Sequence, residues 1–127
     1  MVVIDASVLV DGLLVAGAAR ERLASANLQA PELIDAELLS VLRRLVLAGS
    51  LAESHALQAL ATSSQLGLRR HPTRIFWLRA WELRTHLSAY DALYVALAEQ
   101  LDAPLITADA RIARAPGLRC RVEVLEP

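Results

Sequence analysis

Four carboxylates, Asp5, Glu37, Asp91 and Asp109, are the side chains of this chain whose type and setting could do chemistry together. Asp5 closes the apolar run Val2-Val3-Ile4, and Ser7 follows two residues later. Glu37 sits one turn into a long amphipathic segment, Asp91 at the start of another, and Asp109 directly after the run Leu105-Ile106-Thr107. Acids brought close together repel and raise each other's pKa, so a fold that gathers four of them usually has a cation to compensate. The donor set is hard oxygen, with no His or Cys in the pattern, which selects Mg²⁺ or Mn²⁺ over zinc. One or two such ions can lower the pKa of a bound water, orient it, and stabilise the leaving oxygen of a phosphodiester. The hydroxyls of Ser7 and Thr107 could bind metal waters or a phosphate oxygen. Each acid also has a plainer use. Asp5 could be a turn residue, Asp91 could only complete a helix cap with Ser88, Asp109 could cap its own helix, and Glu37 could pair with Arg44 on the surface. Asp35, close to Glu37, is a possible assistant to the site, whereas Asp11, Glu99 and Asp102 fit solvated faces.

The elements that would position these acids read as alternating short strands and helices. Val2–Ile4 is a β-branched run suited to a strand buried on both faces. Residues 8–26 give one or two short helices, weakened in the middle by Gly12 and Gly17. Leu28–Ala30 is a short strand stopped by Pro31. Glu32–Ala48 is the clearest helix, with Leu38, Val41, Leu42, Leu45 and Val46 on one stripe. A further helix is expected over 52–65, with Ala56, Leu57, Leu60 and Ala61 inward, followed by a weak strand at Leu66–Arg69. Pro72-Thr73 opens a helix to about Thr85 that holds Ile75, Phe76, Leu78, Trp81 and Leu83. Ser88 to Asp91 matches a capping box ahead of a helix to about Leu101. Pro104–Thr107 is a buried strand, a brief helix follows Asp109 and stops at Pro116-Gly117, and Val122–Leu125 is a terminal strand. This alternation predicts an α/β fold, a three-layer arrangement with a central parallel β-sheet flanked by helices, in a single domain over 1–127. In such a sheet the helices run antiparallel to the strands, so helix starts and strand ends meet at one edge, where open α/β sheets bind ligands. The four acids come from four separate elements and all reach that edge.

Composition narrows the partners. The apolar fraction is 55% and the formal net charge is −1, so no global field draws the protein onto nucleic acid or membrane. All thirteen basic residues are Arg, which removes any mechanism that needs a lysine. Setting the four acids aside leaves ten others against thirteen arginines, a remainder of +3. With cations on the acids, the site would no longer repel a phosphate backbone, and Arg43, Arg44, Arg111 and Arg114 are candidate phosphate contacts. Cys120 is the lone cysteine, so no internal disulfide is possible and a reducing compartment is expected. No basic n-region or long apolar run marks a secretory signal or a membrane span, and a cytoplasmic protein is expected. His55, His71 and His86 are scattered, and Phe76, Trp77, Trp81 and Tyr94 suit core or interface better than base stacking.

The stretches Val3-Ile4-Asp5-Ala6-Ser7, Pro31 through Glu37-Leu38, Ser88 through Ala98, and Leu105-Ile106-Thr107-Ala108-Asp109 together resemble the PIN-domain family, especially its VapC-type toxins. The likeness spans nearly the whole chain, with 50–86 matching only in pattern. It implies a PIN-like fold and a Mg²⁺/Mn²⁺-dependent endoribonuclease of a bacterial toxin–antitoxin pair. The same likeness makes Asp5, Glu37, Asp91 and Asp109 the acidic tetrad, with Ser7 and Thr107 as polar companions. It also implies an RNA substrate, a homodimer, and a cognate VapB-like antitoxin whose Arg or Lys reaches the tetrad. No inhibitory tail is apparent in the chain, so restraint is expected in trans. A phosphoacceptor receiver domain would need a lysine near its last strands, and a haloacid-dehalogenase-like phosphatase would place an Asp where Ser7 stands. The remaining alternative is a non-catalytic RNA- or partner-binding PIN-like module.

Overall fold

The structure, a computed structural model, describes residues 1–25 and 27–126. Ala26, where the second predicted helical piece ends, and Pro127 lie outside the described residues. Five strands, β1 (Val2–Ile4), β2 (Leu28–Pro31), β3 (Leu68–His71), β4 (Leu105–Thr107) and β5 (Val122–Val124), form one sheet in the order β3-β2-β1-β4-β5, every pair parallel. The helices are α1 (Ala6–Leu14), α2 (Ala18–Leu23), α3 (Leu33–Leu47), α4 (Glu53–Gln65), α5 (Trp77–Glu82), α6 (Ala89–Leu101) and α7 (Ala110–Ala113). In one layer α1 touches α2, α3 and α4; in the other α6 touches α5 and lies over β1, β2 and β4. The expected three-layer α/β fold with a parallel central sheet is the one observed.

The strand order carries the functional consequence. From β1 the chain steps outward to β2 and β3, then returns across the sheet to β4 and β5. Because parallel crossovers are right-handed, that reversal sends the connections after β1 and β4 to opposite faces and opens a crevice between their carboxyl ends. Register makes the crevice specific. Val3 pairs with Leu105 and Ile4 with Ile106, so the next residues, Asp5 and Thr107, stand opposite each other. The Asp5 N–H still donates to the Ile106 carbonyl at 3.2 Å. Val3, Ile4, Leu105, Ile106 and Thr107 are wholly buried, as strands covered on both faces require.

Several local expectations are corrected. Pro31 lies inside β2 as its last residue, and β3 starts at Leu68, two residues late and on a sheet edge. The single helix expected over 72–85 is a 3₁₀ turn (Arg74–Phe76) followed by the short α5, then turns that lead back to Ser88. Phe76 and Leu83 anchor this segment in the core, whereas Ile75, Trp77, Leu78 and Trp81 face outward. A short helix laid on α6 buries one side only, and arginines cover the other: Arg74 stands 5.6 Å from the Trp77 ring centre and Arg84 4.5 Å from that of Trp81. On α4 the inward face is Ala56, Ala59 and Ser63, with Leu57 and Ala61 exposed.

Gly12 does more than weaken α1. It is buried, and a Cβ there would lie 2.4 Å from Leu23 Cδ1 and 3.1 Å from the Ala19 carbonyl oxygen. The missing side chain is what lets α2 lie against α1. Gly12→Val should therefore cost about 1–3 kcal/mol through overpacking, seen as a lower urea midpoint; an unchanged midpoint would mean that the two helices do not depend on close approach here.

Candidate active site

Asp5 is the most deeply buried acid of the group. As N-cap of α1 it accepts the Val8 N–H on Oδ1 at 3.2 Å. Oδ1 also accepts the Ser7 hydroxyl at 2.5 Å, and Oδ2 accepts the Thr107 hydroxyl. The same two hydroxyls then accept in turn: Ser7 Oγ takes the Ala108 N–H and Thr107 Oγ1 the Asp109 N–H, each at 3.0 Å. Three side chains and three backbone N–H groups thus lock the end of β1 to the end of β4. Thr107 is wholly buried behind Asp5 and acts on the cavity through that carboxylate, whereas Ser7 lines it directly.

A cavity of about 480 Å³ opens over this junction, and Asp5, Glu37, Asp91 and Asp109 all line it, with Ser7, Asp11, Val41, Arg44, Tyr94 and Arg111. The acids come from the end of β1, the second turn of α3, the first turn of α6 and the N-cap of α7. The helix starts at α1 and α6 present N–H groups and positive dipole ends that favour anions. Ser88 caps α6 by accepting the Asp91 N–H at 3.1 Å, so the cap uses Asp91's backbone and its carboxylate remains available to the cavity. Among the described residues no three Asp, Glu, His or Cys side chains are drawn tightly enough to hold one ion directly. The donor set nonetheless suits Mg²⁺ or Mn²⁺, since Mg²⁺ keeps several of its waters and needs only one or two carboxylates, and the cavity has room for those waters.

The PIN-domain family profile matches residues 2–118. The chain belongs to the PIN-domain family. Among curated proteins, VapC ribonuclease Mb0985 of Mycobacterium bovis is 42% identical over 125 residues, 98% of each chain. Ribonuclease VapC1 of Mycobacterium tuberculosis is 41% identical over 128 residues, 97% of this chain and 96% of that protein. Among solved structures, VapBC-5 of Mycobacterium tuberculosis, a member of the VapBC family of toxin–antitoxin systems, superposes with a TM-score of 0.64 at 25% identity, covering 99% of this chain and 98% of that one. PAE2754 of Pyrobaculum aerophilum gives 0.67 at 21% identity over 96% and 89%, a likeness of fold.

Within this PIN domain the remaining candidates separate cleanly. Arg44 and Arg111 line the cavity; Arg43 and Arg114 do not. Asp35 turns away from it and accepts Arg70 Nε at 2.7 Å. Glu99 is not on a solvated face: Arg79 holds it with two hydrogen bonds at 2.7 and 3.0 Å, and the Arg119 N–H adds a third at 2.7 Å. Tyr94 is the residue that pattern reading passes over. Its side chain is buried, and its hydroxyl donates to Glu37 Oε1 at 2.6 Å, fixing that carboxylate toward the cavity. The available signal is spacing, since Tyr94 lies one turn after Asp91 on α6, and a buried phenol seeks a partner.

The charges are under strain. Burial pushes Asp5 up, opposed by its hydrogen bonds from Ser7, Thr107 and Val8. Burial raises Glu37 too, against the Tyr94 hydrogen bond and with help from Asp91 and Asp5. Asp91 is raised by burial, then by Asp5 and Asp109. Asp109 alone is lowered, because Arg111 pairs with it. An acid whose pKa is higher folded than unfolded stabilises the fold below its unfolded pKa, and that contribution is lost as pH rises through the folded value. For these three acids the loss begins above the ordinary carboxylate range, about 4. In EDTA the melting temperature should therefore rise as pH falls from neutrality toward the ordinary carboxylate range, and Asp91→Asn should melt higher than wild type at neutral pH with a weaker pH response. A less stable Asp91→Asn in EDTA would contradict the repulsion.

Proposed function

We propose that this PIN domain, acting over the whole of 1–127, is a Mg²⁺- or Mn²⁺-dependent endoribonuclease and the toxin of a cytoplasmic toxin–antitoxin pair. The observation that carries this is the convergence of four carboxylates from four separate elements on one cavity at the β1/β4 reversal. Relatives named VapC ribonucleases, similar over nearly their full length, support it. Asp5, Glu37, Asp91 and Asp109 would hold the metal, which when bound supplies charge neutralisation and a water of lowered pKa. The protein's own part is positioning. Ser7 and Thr107 fix both oxygens of Asp5, and Tyr94 fixes one oxygen of Glu37. Arg44 and Arg111 line the same cavity and would orient the phosphate backbone of an RNA strand against the acids. No helix among the described residues is long and apolar enough to cross a membrane.

In this reading an antitoxin restrains the enzyme by setting an Arg or Lys among the tetrad, where it competes with the metal, and by packing apolar surface beside it. A homodimer would use apolar surface of its own, and the outward Ile75, Trp77, Leu78 and Trp81 supply some. The chemical test is RNA cleavage in Mn²⁺. Water as the nucleophile leaves a 5′-phosphate and a 3′-hydroxyl, and Asp91→Asn should fold normally yet lose activity by orders of magnitude. A 2′,3′-cyclic phosphate product would overturn the mechanism. In cells, expression alone should be toxic, co-expression with the neighbouring open reading frame should relieve it, and Asp5→Asn should abolish it. Undiminished toxicity of Asp5→Asn would refute a catalytic origin.

A further inference from the structure

Asp109 differs from its three companions. Asp5, Glu37 and Asp91 have no cationic partner among the described residues, and each is held above the usual carboxylate range. Asp109 is held below it by a side chain two residues away in its own loop. Its Oδ1 accepts the Arg111 N–H at 2.9 Å and Arg111 Nε at 3.0 Å; its Oδ2 accepts Nη2 at 2.8 Å and Nε at 3.2 Å. Both carboxylate oxygens are therefore taken, although the residue lines the cavity. Arg111 also bears on Asp91, whose pKa it lowers. Of the two guanidinium groups on the cavity, Arg44 and Arg111, it is the one that is ion-paired to an acid of the group.

We propose that Arg111 is an internal counter-cation of the acidic cavity, and that Asp109 is exchanged between the Arg111 guanidinium and the divalent ion. This rests on the metal-binding reading of the cavity and adds to it a competitor built into the chain. The physical case has three parts. A bidentate Arg–carboxylate fork occupies the lone pairs that an ion would use. Gathering acids without a cation raises their energy through mutual repulsion, and Arg111 relieves part of that repulsion in the ion-free state. The pair is also weak enough to exchange, because Arg111 is the most exposed member of any ion pair among the described residues, at 81% of its side-chain surface, and exposed pairs contribute little. The backbone hydrogen bond from Arg111 N–H to Oδ1 lets Asp109 keep its capping role when the guanidinium leaves.

The exchange predicts that removing the guanidinium tightens metal binding. Mn²⁺ titrated into wild type and Arg111→Ala, followed by calorimetry and by the rise in melting temperature, reads this without any activity measurement. Arg111→Ala should bind Mn²⁺ roughly two- to fivefold more tightly, the range that losing an exposed ion pair allows. Arg111→Lys, which keeps the charge but lacks the fork, should fall between the two. The decisive comparison places Arg111→Ala in an Asp109→Asn background. If Arg111 acts through Asp109, the gain disappears there. If a positive charge merely repels the ion across the cavity, the gain persists and the exchange is overturned. Equal Mn²⁺ affinity of wild type and Arg111→Ala overturns it as well, leaving the metal reading intact, whereas a wild type that binds no Mn²⁺ overturns both.

Discussion

Asp5 is an acid placed where little water can reach it, and much of the structure follows from holding it there. Only 5% of its surface is exposed. Burying an ion without compensation is costly enough that a group normally neutralises instead. Here two hydroxyls and a backbone N–H donate to its two oxygens. Each hydroxyl has one proton, and because both protons point at Asp5, their lone pairs are left to accept N–H groups from the connection after β4. The direction of every bond in this small network is set by Asp5 being an acceptor. The network joins the two strand ends at which the sheet reverses direction, so the feature that makes the crevice and the feature that charges it are one.

The other acids are tolerated by different means, suited to their positions. Glu37 receives a buried phenol from α6, which ties α3 to the opposite helical layer through the cavity itself. Asp91 sits in the first turn of α6, where the helix terminus favours an anion. Asp109 carries its own arginine. Away from the cavity the chain treats carboxylates conventionally. Glu99 is only partly buried, and that burial is outweighed by three donors from Arg79 and Arg119, so its pKa falls. Arg79 also bonds the Gly117 carbonyl, so this second acid serves to fasten α5, α6 and the 117–119 connection. Two acids of one small protein, Asp5 and Glu99, are thus moved in opposite directions. One has a guanidinium and the other, in the cavity, has only neutral donors.

Beneath both lies an apolar frame that permits them. The central strands and the inner faces of α1, α3 and α6 bury Val, Ile, Leu and Ala almost without interruption. Ser63 carries the sole buried polar side-chain atom left without a hydrogen-bond partner among the described residues. With polar satisfaction so nearly complete elsewhere, the unrelieved repulsion of this molecule is concentrated at the cavity, as expected where a site is built against the local grain.

How much of this was legible beforehand depended on whether the signal was local. Val2-Val3-Ile4-Asp5 reads as a buried strand ending on an acid because β-branched runs and a charged stop are properties of neighbouring residues. Helix starts at Ser88 and Asp109 are legible for the same reason, and a parallel sheet then brings strand ends and helix starts to one edge by geometry alone. That was enough to single out Asp5, Glu37, Asp91 and Asp109 as a set. What adjacency does not encode stayed hidden. The spacing at 72–85 and 52–65 offered several apolar stripes, and only packing against α6 and against α1 and α3 chose which residues face inward. Gly12 reads as a weak point until α2 is seen lying on it. The Tyr94–Glu37 bond, the turn of Asp35 toward Arg70 and the clamp on Glu99 join residues 57, 35 and 20 positions apart. By itself the sequence determined which acids share an edge, because strand direction and helix polarity follow from local pattern. The tertiary structure decided which partner each acid received, because hydrogen bonds between distant elements depend on how those elements pack.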